Sequence, residues 1–209
     1  GDSRFDQIAY RVKNSIEFNQ FNNESKYIIL GSIDSKDFPI IKDAMANFKN
    51  KCHYIIVPHE VDPDSIRKIE ILLDDIQVNY IPLSKTANAN IENYDCIIVD
   101  TLGILLDLYK YADIAYVGAG FSHGVHSVIE PLAQNCIVCY GPKIDILDEA
   151  VEITTSQIGH LINNSTELLN IFKLMNDEKL LKENQKSGLD YIKTKMNASK
   201  EILKQLNRE

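Results

Sequence analysis

Short continuous apolar runs alternate along this chain with longer stretches whose apolar positions recur every three or four residues. The first kind reads as strands buried on both faces, and the second as helices with one buried face. Tyr27-Ile28-Ile29-Leu30, ending in Gly31-Ser32, is the first run. His53-Tyr54-Ile55-Ile56-Val57, Cys96-Ile97-Ile98-Val99, Ile114-Ala115-Tyr116-Val117 and Cys136-Ile137-Val138-Cys139-Tyr140 follow. Val78 to Leu83 predicts another short strand, and Val151 to Thr155 and Ile158 to Ile162 are further candidates. Phe5, Ile8, Ala9, Val12 and Ile16 share a helical face, which predicts a helix from Phe5 to about Phe18 with Arg4 in the turn before it. Asn19 to Ser25 reads as a loop. Asp34 or Ser35 is expected to cap a helix reaching about Phe48, and Asp62 to Asp75 is a helix with Pro63 at its first position. Gly103 to Tyr111, the stretch from near Ser127 to near Asn135, and most of the chain after Asn164 also read as helical.

Strands of about four to six residues alternating with helices of about ten to fifteen mean right-handed βαβ units. The expected fold class is therefore α/β, a Rossmann-like parallel sheet with helices on both faces, in a single domain over residues 1–209. Ligands of such sheets bind beyond the carboxyl ends of the strands. That rule selects Ser32, Pro58-His59, Asp100-Thr101, the loop from Gly118 to Gly124, and Gly141-Pro142 as the functional rim.

Composition narrows the partners. The chain has 209 residues, 44% hydrophobic and 25% charged, with 22 Lys+Arg against 30 Asp+Glu. The first figures are those of an ordinary globular chain, and the net charge of -8 argues against binding a nucleic-acid backbone. No apolar run approaches the ~18–20 residues of a membrane helix. The opening Gly1-Asp2-Ser3-Arg4-Phe5-Asp6 lacks both Met and the pattern of a signal peptide, so either a processed chain or a fragment of a longer protein is expected. Cys136 and Cys139 have CxxC spacing, but three positions apart on a strand they point to opposite faces and chelate metal poorly. With Cys52 and Cys96 they read as buried, reduced thiols of a reducing compartment.

The strongest local signal is Gly118-Ala119-Gly120-Phe121-Ser122-His123-Gly124-Val125-His126-Ser127-Val128-Ile129-Glu130-Pro131. A strand delivers a loop with three glycines and a helix follows, an arrangement that lets backbone approach a phosphate or sugar. The dinucleotide fingerprint GxGxxG is not met, because the third Gly is one residue late. Glu130 has two readings. Ser127-Val128-Ile129-Glu130 is a capping-box pattern. Alternatively, the carboxylate accepts hydrogen bonds from both hydroxyls of a ribose. His123 and His126 could donate to a phosphate or a sugar carboxylate; a metal pair is the weaker alternative, with no third ligand at useful spacing. His59 is a rim histidine or simply a solvated one, and His53 and His160 read as structural. Asp100 or Thr101 could cap the following helix, as could Ser32, or line a cleft.

Together these segments resemble a known family. Gly1 to Asp6, Gly31-Ser32, Asp100-Thr101-Leu102-Gly103, Gly118 to Pro131 and Gly141-Pro142 are similar, in order and spacing, to the C-terminal half of 3-deoxy-D-manno-octulosonic acid (Kdo) transferases. His126-Ser127-Val128-Ile129-Glu130-Pro131-Leu132-Ala133 resembles that family's "GGHNPLEPAA", and Gly141-Pro142 its "FGP". The resemblance implies the C-terminal domain of a GT-B glycosyltransferase. That domain would bind the donor CMP-Kdo without a metal or other cofactor. An N-terminal domain outside this chain would hold the lipid A precursor and the catalytic carboxylate. The full-length protein would act in lipopolysaccharide inner-core synthesis on the cytoplasmic side of the bacterial inner membrane, and membrane contact would fall to the other half. By position, Glu130 would hold the ribose. Ser32, Gly120, Ser122, His123, Gly124, His126 and Ser127 would surround the phosphate and Kdo, with Arg4, His59, Asp100 and Thr101 lining the cleft. A GT-B enzyme using a UDP-sugar (a transferase or an epimerase) and a non-catalytic nucleotide-binding domain are the alternatives. The chain departs from the family pattern at several places. It carries Pro58-His59-Glu60 where many members have a basic "PRHPER", Ile33-Asp34 after Gly31-Ser32, no Glu in Asp100 to Leu105, and Ser127 for the Asn of "GGHN".

Overall fold

The computed structural model describes residues 2–22, 24–48 and 52–199; Gly1 lies outside the described residues. The strands are β1 (Tyr27–Ile33), β2 (His53–Pro58), β3 (Tyr80–Pro82), β4 (Cys96–Ile98), β5 (Ile114–Val117), β6 (Ile137–Tyr140) and β7 (His160–Leu161). They form one sheet in the order β3-β4-β2-β1-β5-β6-β7, every neighbouring pair parallel. The helices are α1 (Ser3–Lys13), α2 (Phe38–Asn47), α3 (Pro63–Asp75), α4 (Leu105–Tyr109), α5 (Ile129–Ala133), α6 (Asp148–Thr155), α7 (Ser165–Phe172) and α8 (Glu178–Lys195).

Period-two alternation within each strand sends neighbouring side chains to opposite faces. Ile29, Ile55, Ile97 and Val138 pack under α1, α4, α5 and α6, while Ile28, Ile56, Ile98 and Tyr116 pack under α2, α3 and α7. Cys136 belongs to the first core and Cys139 to the second, as expected from their spacing, and all four cysteines are buried and free.

Several expectations need correction. Helix α1 includes Arg4, capped by Asp2, whose carboxylate accepts from the Arg4 N–H at 2.9 Å. It ends at Lys13, not Phe18: the Asn14 side chain takes the Tyr10 carbonyl at 2.7 Å, and Ile16 is left 59% exposed. Val151 to Thr155 is helical, part of α6. Thr154 and Thr155 donate their hydroxyls to the carbonyls of Ala150 and Val151 at 2.7 and 2.9 Å, a bond that fits β-branched residues into a helix. Strand β1 continues through Gly31 and Ser32 to Ile33, with an irregularity there and Ser32 at φ 52°. The helix expected from Ser127 is only Ile129–Ala133, and no side chain caps it, so no capping box forms.

The chain winds outward from β1 through β2 and then returns to the other side of β1 at β5, so the topological switch lies between β1 and β5. Beneath it sits Asp37, wholly buried. Its Oδ2 accepts from Asp34 N at 2.9 Å and Ala119 N at 3.0 Å, and its Oδ1 from the Tyr116 hydroxyl at 2.6 Å. Burial pushes its carboxyl above the ordinary 3.8, while the Tyr116 bond pulls it down. The folded state therefore holds that proton more tightly than the unfolded chain. The group's contribution to stability falls as pH rises from 3.8 to the raised folded value. Asp37→Asn keeps an oxygen for both N–H groups and turns a donor toward Tyr116. It is expected to cost within ~1 kcal/mol and to lose this pH dependence, whereas Asp37→Ala strands buried donors and costs on the order of 3 kcal/mol. Urea unfolding of both variants across acidic pH checks this.

Candidate functional site

The loop leaving β5 is held at both ends by backbone. Gly118 N donates to Gly31 O at 2.8 Å, and Ser122 N and Gly124 N both turn back to Ala119 O at 3.0 Å. Lys143 N donates to Gly120 O and Val125 N to Lys143 O, both at 2.9 Å, so the loop is laced to the segment after β6. The glycines serve this lacing. A Cβ on Gly118 would strike the Ser32 carbonyl, and one on Gly120 would lie 2.6 Å from Gly141 N. Gly124 has φ 118° and packs against Ile146. Gly120 and Gly124 thus let the loop lie against Gly141 and Ile146, and Gly118 lets it pass the Ser32 carbonyl. Among the described residues, the N–H groups of Gly120, Phe121, His123 and Ser127 have no acceptor in the fold.

Two clefts flank this loop. The first encloses about 400 Å³ and is lined by Arg4, Arg11, His126, Ser127, Glu130 and Glu149, among others. The second, about 440 Å³, is lined by Lys36, His59, Lys68, Ser122, His123 and Lys143, among others. They meet where the rings of His59 and His126 stack, centroids 4.6 Å apart and planes 20° from parallel. Among the described residues, His126 Nε2 is buried without a hydrogen-bond partner. Burial, then the neighbouring His59, lowers its pKa, which favours the neutral ring.

Glu130 stands in the first cleft, where burial raises its pKa and Arg11 opposes the rise. Arg11 Nη1 lies 3.3 Å from Glu130 Oε1, and Oε2 has no hydrogen bond among the described residues. Arg4 is already committed. Its guanidinium forks onto both oxygens of buried Glu149 at 3.0 and 3.1 Å, and its Nε reaches Asp2 at 2.9 Å. It borders the cleft but works as a clamp between α1 and α6.

The structure therefore brings together Arg4, His126, Ser127 and Glu130 in one cleft and His59, Ser122 and His123 in the other. It leaves Asp100 and Thr101 out of both. Asp100 takes the Ser84 N–H at 2.9 Å and the Ser84 hydroxyl, Thr101 is exposed, and neither caps α4. His53 and His160 are structural, bonded to the Tyr94 carbonyl and to Asn184. Sequence reasoning missed Arg11, although Arg4, Ile8 and Arg11 share one helical face at spacings that put them together. It also missed Lys36, Lys68 and Lys143, which come from three separate elements. No group of three or more His, Cys, Asp or Glu side chains among the described residues is placed to hold a metal. Among those residues no helix is long and apolar enough to cross a membrane.

Removing Arg11 takes away the cation that lowers the Glu130 pKa. Arg11→Ala is expected to move the Glu130 carboxyl titration further up, read by carbon-13 NMR of the side chain; an unchanged or lower value would show that the pair does not form.

No family model matches the chain. A Chlamydia trachomatis protein named 3-deoxy-D-manno-octulosonic acid transferase is 28% identical over 194 residues, 88% of this chain and 44% of the relative. Its Chlamydia muridarum counterpart is 30% identical over 186 residues, 86% and 42%. A Fusobacterium nucleatum bifunctional glycosyltransferase/methyltransferase is 30% identical over 206 residues, 91% and 32%. The chain thus spans less than half the length of these relatives. Among solved structures, the C-terminal CMP-Kdo binding domain of WaaA from Acinetobacter baumannii superposes with a TM-score of 0.68 at 17% identity, over 90% of this chain and 99% of that one. A sucrose-phosphate synthase from Thermosynechococcus elongatus follows with 0.63 at 16%, over 97% and 48%. At such identities these superpositions speak for the fold alone. The chain is similar over most of its length to 3-deoxy-D-manno-octulosonic acid transferases, and it has the fold of a GT-B glycosyltransferase domain.

Proposed function

We propose that this chain is the donor-binding part of a Kdo transferase, holding CMP-Kdo for transfer to a lipid A precursor. The observation that carries this is Glu130. It is a partly buried carboxylate at the end of the glycine-rich loop, beside Arg11 and open to a cleft that borders the loop. The similarity to proteins named Kdo transferases supports the choice of donor.

Glu130 would accept both ribose hydroxyls, the use of a carboxylate with one oxygen still free. The transfer would be inverting. An acceptor hydroxyl, deprotonated by a carboxylate on a domain outside this chain, attacks the anomeric carbon. The bond from that carbon to the phosphate oxygen breaks, and CMP leaves with the electron pair. The unfilled N–H groups of Gly120, Phe121, His123 and Ser127, with His126, are the donors available here to stabilise that charge. They replace the helix N-terminus that the sequence suggested, since α5 is a single short turn. No metal or other cofactor enters this scheme. The acceptor site and the contact with the cytoplasmic face of the inner membrane would belong to the remainder of the protein, and this chain alone would bind the donor without turning it over.

Calorimetric titration with CMP, UMP and UDP tests the proposal. CMP is expected to bind in preference. Glu130→Ala gives up two ribose hydrogen bonds, so it should weaken CMP by about tenfold or more while circular dichroism stays unchanged. Preference for a uridine nucleotide would reassign the chain to the enzymes that use UDP-sugars.

A further inference from the structure

The second cleft is built differently from the first. Lys36 comes from the turn before α2, Lys68 from α3 and Lys143 from the segment after β6. None of the three is in an ion pair among the described residues. Among the described residues, six other lysines, Lys42, Lys110, Lys179, Lys182, Lys193 and Lys195, pair with carboxylates, while Lys13, Lys26, Lys85, Lys173 and Lys186 are in no ion pair and do not line this cleft. Lys143 Nζ instead donates to the Ser122 carbonyl at 2.5 Å, which holds its ammonium group at the loop.

Two carboxylates, Asp34 and Glu60, border the same cleft. Asp34 is already used, accepting from the Lys36 N–H at 2.7 Å and from the Ser122 hydroxyl. The cleft thus gathers three ammonium groups, with His59 and His123, against two carboxylates, in a chain whose net charge is -8. A local excess of positive charge against such a background is the footprint of an anionic ligand. Lysines on separate elements act as point charges, suited to a carboxylate or phosphate oxygen without a fixed bidentate geometry.

We infer that Lys36, Lys68 and Lys143 form a subsite for the carboxylate of an acidic sugar. The inference rests on the donor reading in one respect only, the direction of the ligand. With the ribose on Glu130 in the first cleft, the part of a sugar nucleotide beyond its phosphate passes the His59–His126 stack and enters the second cleft. A neutral sugar would leave the three ammonium groups unneutralised there, so the subsite selects donors whose sugar carries a negative charge.

NMR titration separates the subsite from the nucleotide reading. Wild-type chain and the triple variant Lys36→Gln, Lys68→Gln, Lys143→Gln would each be titrated with CMP, with freshly prepared CMP-Kdo and with free Kdo. All three lysines are exposed, so the variant should keep the fold, as checked by circular dichroism. The expected result is a loss of about tenfold or more in CMP-Kdo affinity, with CMP affinity unchanged. Free Kdo should shift the signals of the three lysines and His123 in the wild type and leave the variant silent. The inference is overturned if the variant loses CMP and CMP-Kdo equally, if it loses neither, or if free Kdo moves nothing in the second cleft. Kdo shifts without any CMP binding would uphold the acidic-sugar subsite and refute the nucleotide reading.

Discussion

The buried carboxylate of Asp37 is the constraint from which the rest of the rim takes its shape. One of its oxygens holds the amides of Asp34 and Ala119, and the other holds the Tyr116 hydroxyl. These groups belong to the turn after β1, to the loop after β5 and to β5 itself, the three pieces that meet at the topological switch. A fully buried acid costs folding energy unless its hydrogen bonds are complete. Here they tie the pieces into one geometry. Ala119 sits at φ 66°, a backbone state a non-glycine residue holds only when its surroundings impose it. From there the loop can pass close enough to β1 and to the segment after β6 for the glycines to be required.

Function follows from where that loop delivers its side chains. It carries His126 against His59 and leads directly into α5, which presents Glu130 beside Arg11. The result is a pair of clefts, the first lined by two arginines and two glutamates and the second by three lysines and two carboxylates, joined at a stacked histidine pair. One holds a partly buried carboxylate suited to hydroxyls, and the other an excess of ammonium groups suited to an anion. A nucleotide bearing an acidic sugar presents those two chemistries in that order. The Arg4–Glu149 fork fixes α1 against α6 and so keeps Arg11 in place, which gives the opening motif of the chain a structural task.

Much of the fold was legible in the sequence because a strand buried on both faces has to be apolar at every position. The runs around Ile28, Ile55, Ile97, Tyr116 and Val138 could be little else, and the opposed faces of Cys136 and Cys139 followed from strand geometry alone. Local propensity misled at Val151 to Thr155, where threonine hydroxyls bonded back to the helix. The site was legible as a region and less so residue by residue. The glycines were read as backbone that can approach a phosphate or sugar; the sequence did not show that a Cβ there would meet Ser32, Gly141 and Ile146 of the protein itself. Asp100 looked like a cleft residue because it ends a strand, yet Ser84 occupies it. Asp37 was missed because Tyr116 and Ala119 lie 79 and 82 residues away, and the three lysines because they come from three separate elements.

The central claim is that Glu130 and the loop before it form a nucleotide site whose second half is the lysine-lined cleft. A crystal structure of the chain with CMP tests it most directly. The account predicts both ribose hydroxyls on the Glu130 carboxylate and the phosphate at the loop between Gly120 and Ser127, next to His126. A nucleotide bound elsewhere, or a ribose that leaves Glu130 untouched, would contradict it.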